Sequence, residues 1–302
     1  MTPEDICKHD LCALTGAQRN YYFANGFVSI DSIVGDPWLA RLQELAGDFL
    51  DQSRSVAKSN EAFDLGPNHT AEHPQMRRLR ATIDRHPDFW RFACESVFTD
   101  IAADLCGPDV KFHSAKLNYK WPGRDEVVKW HQDIQAWPHT NYSPVTLGVY
   151  LDDVTPEMGP LACIPGSHEG PLFRHTRPDG SWTGSVSDAD METVDTGSAV
   201  ASAGPAGTVV AINCRTIHGS HQNVSAKPRP MLLYVYSSAD AFPWMPAPAP
   251  TNKTGEIVRG KSADYPHMDP RPCPVPPNWD KIGYGSIYTA QKGEHAPGAH
   301  QD

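Results

Sequence analysis

Trp130-His131-Gln132-Asp133, followed far downstream by His218-Gly219-Ser220 and then Arg229, is the set of segments that decides how this chain folds and reacts. In an extended strand alternate side chains point the same way, so the spacing sends His131 and Asp133 to one side and Gln132, with Trp130 and Ile134, to the other. A second imidazole from a distant strand, His218, completes three metal ligands. Two histidines and one carboxylate on one face of an ion leave the other positions open, which is the arrangement of non-haem Fe(II) oxygenases. Taken alone the His-x-Asp pair is weak, because 14 histidines and 36 acidic residues produce such pairs by chance. Its weight comes from the distal segments.

Thr208-Val209-Val210-Ala211-Ile212-Asn213-Cys214 reads as a buried strand that delivers Arg215-Thr216-Ile217-His218 to its end, where a ligand faces a cavity. His221 competes with His218 but needs a further turn, whereas Gly219 and Ser220 after His218 are small enough for backbone and substrate to approach. Arg229 opens the next strand, which runs to Tyr236, and its guanidinium enters an otherwise apolar interior. An unpaired buried charge is costly. A planar guanidinium clamps a carboxylate through two hydrogen bonds, which suits the far end of a dicarboxylate co-substrate chelated to the metal. The bland alternative is a surface arginine at a strand start, and Lys227 falls in the preceding turn.

Working outward, 302 residues with 39% hydrophobic and 21% charged side chains suit a globular domain with ample core. The formal charge of −10 disfavours nucleic acid and anionic membranes as partners. The 7 cysteines are scattered without a C-x-x-C, so a reducing cytoplasm is expected rather than a disulfide framework. Neither a signal peptide nor a long apolar run is seen, and homodimerisation is left open.

One domain over residues 1–302 is expected, with a helical part at about 1–108, a strand core at about 109–240 and a Pro-rich loop region at 243–302. Helical spacing runs from Asp36-Pro37 through Leu50, from His86-Pro87 to Gly107-Pro108, and over Gln18 to Ala24 before Asn25-Gly26. Strands are predicted at Val110 to Tyr119, Val145 to Leu151, Thr208 to Cys214 and Met231 to Ser237. Ten prolines between 243 and 277 exclude regular helix or central strand, leaving a surface loop or a lid over the cavity mouth.

The chain resembles the phytanoyl-CoA dioxygenase family of Fe(II)- and 2-oxoglutarate-dependent oxygenases. The resemblance rests on Lys129-Trp130-His131-Gln132-Asp133, on Leu151-Asp152-Asp153 through Gly159-Pro160-Leu161 with Ile164-Pro165-Gly166-Ser167-His168, and on His218-Gly219-Ser220 with Arg229. It spans roughly residues 110 to 238, and the ectoine hydroxylase-like small-molecule members are nearest, given Lys116-Leu117-Asn118 and Trp137.

That resemblance implies a mainly β fold with flanking helices, a double-stranded β-helix or jelly roll, and the use of Fe(II), 2-oxoglutarate and O2. It implies 2-oxoglutarate contacts at Arg229, Asn118, Trp137 and Ser220, and a structural rather than ligating His168. Asp133 stands where halogenating relatives carry a small residue, so hydroxylation is expected. Lys116, Trp130, Tyr150 and Trp244 are the candidate substrate contacts. Trp130, Trp137, Tyr142, Tyr150, Tyr234, Tyr236 and Trp244 crowd the motif segments, and several converging would cage an alkylammonium group; ordinary core packing is the rival reading. No basic cluster suited to the phosphates of coenzyme A is apparent. An amine, amino-acid derivative or aminophosphonate is the expected substrate class. The alternatives are natural-product desaturation, epoxidation or ring formation, a cupin-type metal enzyme without 2-oxoglutarate, and a non-catalytic ligand-binding barrel.

Overall fold

Period-two alternation along Val110–Lys120 sets the layers: Ala115, Leu117 and Tyr119 face packed helices, while Lys116 and Asn118 face a cavity. The computed structural model describes residues 1–123, 127–284 and 286–293. Its helices are α1 (Pro3–Ile6), α2 (Gly16–Asn25), α3 (Trp38–Ser53), α4 (Pro87–Glu95), α5 (Val97–Cys106), α6 (Asp188–Met191), α7 (Trp279–Ile282) and α8 (Ile287–Lys292). The strands are β1 (Phe27–Ile30), β2 (Phe63–Leu65), β3 (Met76–Arg80), β4 (Val110–Lys120), β5 (Val128–His131), β6 (Val145–Tyr150), β7 (Leu161–Cys163), β8 (Val200–Ser202), β9 (Val209–Asn213), β10 (His218–Ser220), β11 (Arg229–Ser238) and β12 (Ile257–Arg259).

An eight-stranded antiparallel sheet runs β1-β9-β6-β11-β4-β3-β2, with β12 beside β4; a four-stranded antiparallel sheet runs β5-β10-β7-β8. The two sheets enclose the cavity, and the fold is a jelly roll with flanking helices. Helices α3, α4 and α5 bury Leu42, Leu45, Phe49, Phe89, Phe92, Phe98 and Ile101 against the outer face of the large sheet. Each such side chain contributes roughly 1.5–3 kcal/mol by leaving water. Tyr234 and Tyr236 belong to this layer, donating their hydroxyls to Phe89 O at 2.8 Å and Ala93 O at 3.0 Å.

Three expectations need correcting. The helix after His86 is two helices, because Ser96 takes an extended conformation (φ −93°, ψ 174°), ends α4 and caps α5 by accepting from Phe98 N at 3.2 Å. The N-terminal part is not simply helical, since β1, β2 and β3 all join the large sheet. The C-terminal region holds more than loop: β12 forms in its proline-free stretch and pairs with the start of β4, and α7 and α8 follow Pro277.

The Pro165-Gly166-Ser167-His168 loop owes its composition to docking. Gly166 takes φ 74° and donates its N–H to Asn25 O at 2.9 Å; His168 Nε2 lies 3.0 Å from Phe23 O. Ser167 Oγ accepts from Ile217 N at 2.9 Å, tying the loop to the residue before His218. Gly26 ends α2 at φ 82°, and a Cβ there would collide with Thr216 Oγ1 and the His168 ring. Gly26→Ala should therefore cost about 2–4 kcal/mol in chemical denaturation. An unchanged unfolding midpoint would show that α2 and the loop do not meet as described.

Candidate metal centre

Strand β5 ends on His131, and antiparallel pairing sets it directly across from His218 at the start of β10. Their rings lie 4.1 Å apart between centroids. Each ring is fixed from behind: His131 Nδ1 donates to Lys129 O at 2.9 Å and His218 Nδ1 to Thr216 O at 3.0 Å. Both Nε2 lone pairs therefore point forward. Asp133 Oδ1 sits 3.7 Å from one Nε2 and 3.8 Å from the other, and its Oδ2 accepts from Thr146 Oγ1 at 2.9 Å.

The three donor atoms lie within 4.8 Å of one another. Among the described residues neither Nε2 has a hydrogen-bond donor, so two buried lone pairs and a carboxylate share one point that a divalent cation satisfies. Burial, and then the neighbouring His218, push His131 well below its ordinary value and keep it neutral. Burial alone would raise Asp133, but His218, Lys116 and His131 hold it below the usual carboxylate range. The pair of side chains is thus poised as ligands at neutral pH.

The local backbone departs from the expected strand. Asp133 opens a 3-10 turn, Asp133–Gln135, after extended Gln132, so a turn and not continuous pleating aims the carboxylate. Gln132 pins that turn, donating to Arg215 O at 2.8 Å and Pro171 O at 3.1 Å and accepting from Phe173 N at 3.0 Å. Gly219 permits β5 and β10 to close, because a Cβ would stand 2.7 Å from Val128 O.

Opposite the triad, the inner face of the large sheet presents Arg229, Met231 and Leu233 of β11, Lys116 and Asn118 of β4, Arg78 of β3 and Thr146 of β6. Arg229 is buried over the Tyr150 ring, touches Met231 Sδ at 3.2 Å and leaves Nε without a partner. His218 and Arg229 therefore sit on facing sheets, not on neighbouring strands as expected.

The phytanoyl-CoA dioxygenase profile matches residues 22–231, more than half the chain, including His131, Asp133, His218 and Arg229. The chain belongs to the phytanoyl-CoA dioxygenase family. It is 29% identical over 266 residues to a probable α-ketoglutarate-dependent hypophosphite dioxygenase of Stutzerimonas stutzeri, covering 86% of this chain and 91% of the relative. It is 27% identical over 242 residues to an ectoine dioxygenase of Sphingopyxis alaskensis, covering 74% and 76%. The crystal structure of EctD from S. alaskensis with 2-oxoglutarate and 5-hydroxyectoine superposes with a TM-score of 0.63 at 25% identity, covering 76% of this chain and 78% of that one. This member of the family is a non-haem Fe(II)- and 2-oxoglutarate-dependent dioxygenase.

Within the phytanoyl-CoA dioxygenase fold of this chain, His131, Asp133, His218, Asn118, Trp137, Ser220, Arg229 and Lys116 all line one cavity. Trp130, Tyr150 and Trp244 do not. Trp130 faces a separate depression with Val186 and Met191. Tyr150 is spent in the core, its hydroxyl donating to Ser202 O at 2.9 Å and accepting from Leu161 N at 3.0 Å. Trp244 is 39% exposed and donates to His139 O at 3.2 Å. Of the seven aromatics considered for a cage, only Trp137 reaches the cavity, because alternation sends Tyr234 and Tyr236 to the helical side and Tyr142 bonds Arg271 O and Pro272 O. His221 is exposed.

Sequence reasoning missed Arg78, Thr146, His175, Trp182, Tyr284, Ile287 and Tyr288, all of which line the cavity. A lone threonine inside the apolar run Val145–Tyr150, and three arginines within Met76–Arg80, were the available signals. The wall is closed by Tyr284 and α8, and Pro248 and Ala249 of the proline stretch border an adjoining cavity that shares Arg78, Lys116, Trp137 and Tyr284 with it. Gln291 fastens α8 by accepting from Lys129 N at 2.8 Å and donating to Gly184 O at 2.8 Å. Lys116, with no hydrogen-bond or ion-pair partner among the described residues, is pushed down to about 8 by burial and by Arg78.

Three histidines outside the triad give a pH signature. Burial chiefly pushes His113 down to about 3, and His139 and His175 to about 4, from 6.5. His175 must be neutral, since its Nε2 accepts from Gln132 N at 2.9 Å. The unfolded chain takes up these protons first, so stability falls as pH drops below about 6.5 and keeps falling to about 4, by about 1.4 kcal/mol per pH unit for each group. Urea unfolding should thus lose several kcal/mol between pH 6.5 and 5; a flat profile would contradict the buried neutral assignment.

Proposed function

We propose that this enzyme hydroxylates an unactivated C–H bond of a small polar molecule, with Fe(II) on His131, Asp133 and His218 and the distal carboxylate of 2-oxoglutarate on Arg229. The observation that carries this reading is Arg229: a buried guanidinium facing the triad across the cavity, with its Nε unpartnered and no carboxylate within 4.0 Å among the described residues. Such a group is satisfied by a planar carboxylate accepting two hydrogen bonds. When bound, Fe(II) with 2-oxoglutarate and O2 supplies an oxidative decarboxylation to succinate and CO2 coupled to oxygen insertion.

The chain's own residues do the positioning. Thr146 fixes the orientation of the Asp133 carboxylate, and the Lys129 and Thr216 carbonyls fix the two imidazoles. Asn118 gives its Oδ1 to Arg78 Nε at 2.9 Å, which leaves its NH2 to donate toward a bound oxyanion. Ser220 and Trp137 border the same space, and Leu161, Met231, Leu233 and Ile287 exclude water around it. Asp133 occupies a ligand position that a halide would otherwise need, which favours hydroxylation. Arg229 has no counterpart in a cupin mechanism without 2-oxoglutarate. Relatives named for hypophosphite and ectoine support a small substrate. The seven free cysteines support a reducing, cytoplasmic setting for a single catalytic domain.

Substrate-stimulated succinate release, screened over amino acids, amines and aminophosphonates, tests the reading. His131→Ala and Asp133→Ala should abolish iron-dependent turnover. Arg229→Ala should raise the 2-oxoglutarate requirement about ten- to a hundredfold. Thr146→Val should weaken Fe(II) binding about tenfold or more. Equal co-substrate dependence in Arg229→Ala and the parent would remove Arg229 from the site.

A further inference from the structure

We propose that the substrate carries an oxyanion head group, a carboxylate or a phosphonate, held by Arg78 and Lys116. The inference rests on the placement of 2-oxoglutarate at Arg229 and adds the substrate's charge. Register keeps the two cationic sites apart. Lys116 pairs with Leu233, four residues along β11 from Arg229, a span of about 13 Å at strand rise. Arg78 stands across from Asn118, which pairs with Met231. One small dicarboxylate on Arg229 does not serve all three.

Charge makes the same point. Arg78, Lys116 and Arg229 line the cavity, and Asp133 is the sole carboxylate that does so among the described residues. A divalent metal and doubly charged 2-oxoglutarate cancel one another, so two of the three cations stay uncompensated in a buried space. Arg78 is only 4% exposed, and its Nε is engaged by neutral Asn118. Asp64, the carboxylate across from it on β2, is taken by Arg77 at 2.8 Å and by Arg80 at 3.9 Å. The pairing of β2 with β3 shifts register around Arg77, and this irregularity lets consecutive Arg77 and Arg78 both lie over the Tyr288 ring. Trp182 Nε1 adds a buried donor without a partner.

The rival reading, a quaternary ammonium held by aromatic faces, meets an unfavourable field here. Tyr288 already carries two guanidiniums, and among the described residues no free carboxylate lines the cavity to balance a bound cation.

Anaerobic calorimetry on the holoenzyme loaded with Fe(II) and 2-oxoglutarate decides between them, using methylphosphonate, acetate and tetramethylammonium as probes. At least one oxyanion should bind more tightly than tetramethylammonium, and whichever of the two binds better identifies the head group. Arg78→Gln and Lys116→Met should each weaken that binding about tenfold or more, whereas Lys116→Arg should retain it within about threefold. Lys116→Met should also raise the Tm, because a half-buried ammonium with no partner among the described residues is replaced by an apolar chain of similar length. Preference for tetramethylammonium, or parent-like anion binding in both variants, would overturn the proposal. If Fe(II) and 2-oxoglutarate load but no oxyanion binds, this inference alone falls. If they fail to load, the oxygenase assignment of these residues falls and takes the inference with it.

Discussion

Two imidazole lone pairs converge on one point because β5 and β10 pair with His131 across from His218, and a carboxylate is turned in beside them. No hydrogen bond within the described residues relieves that convergence, so the pocket is electrostatically incomplete without a cation. Much of the surrounding structure can be understood as what keeps the register from relaxing. The Lys129 and Thr216 carbonyls hold the rings, Gln132 holds the turn, Gly219 lets the strands close, and Ser167 anchors the chain just before His218. A slip of one residue would turn each imidazole to the opposite face of its strand.

How much of this was legible in the sequence follows from how local each cause is. The long strands, the helices around α2 and α3 and the donor triad could be read, because alternation, helical period and caps act over a few residues. The break at Ser96 was hidden because apolar spacing continued through it while a single side chain capped a new helix. The short strands β1 and β3 were missed because partners far away in sequence, β9 and β4, make them extended, and β2 because three residues are too few to show alternation. Arg229 was legible as a charge in an apolar strand. Arg78 was not, since its aim depends on a local register shift against β2. By composition the proline-rich stretch reads as a surface loop or a lid, and its Pro248 and Ala249 border a cavity adjoining the site; the wall residues Tyr284, Ile287 and Tyr288 were not legible, because no local pattern encodes their proximity to the triad.

The cavity joins two kinds of surface. The small sheet contributes two imidazoles, of which His131 is held neutral by burial and by its neighbour His218, while the large sheet contributes guanidiniums and an ammonium among methionine and leucine side chains. A buried, cationic floor opposite the donor triad strengthens interactions with a negatively charged ligand, because charges interact more strongly away from bulk water. Aromatic side chains are present at the rim, but several of their faces are already covered by the protein's own side chains.

Reactivity and fit are housed in different parts of the chain. The donor atoms ride on paired strands, whereas one wall belongs to α8, latched to β5 and Gly184 chiefly through Gln291. Natural variation at Tyr284, Ile287 or Tyr288 can thus retune which molecules enter while leaving the oxidising apparatus intact. That separation is a physical route by which one ancestral oxidant could diversify into many selectivities.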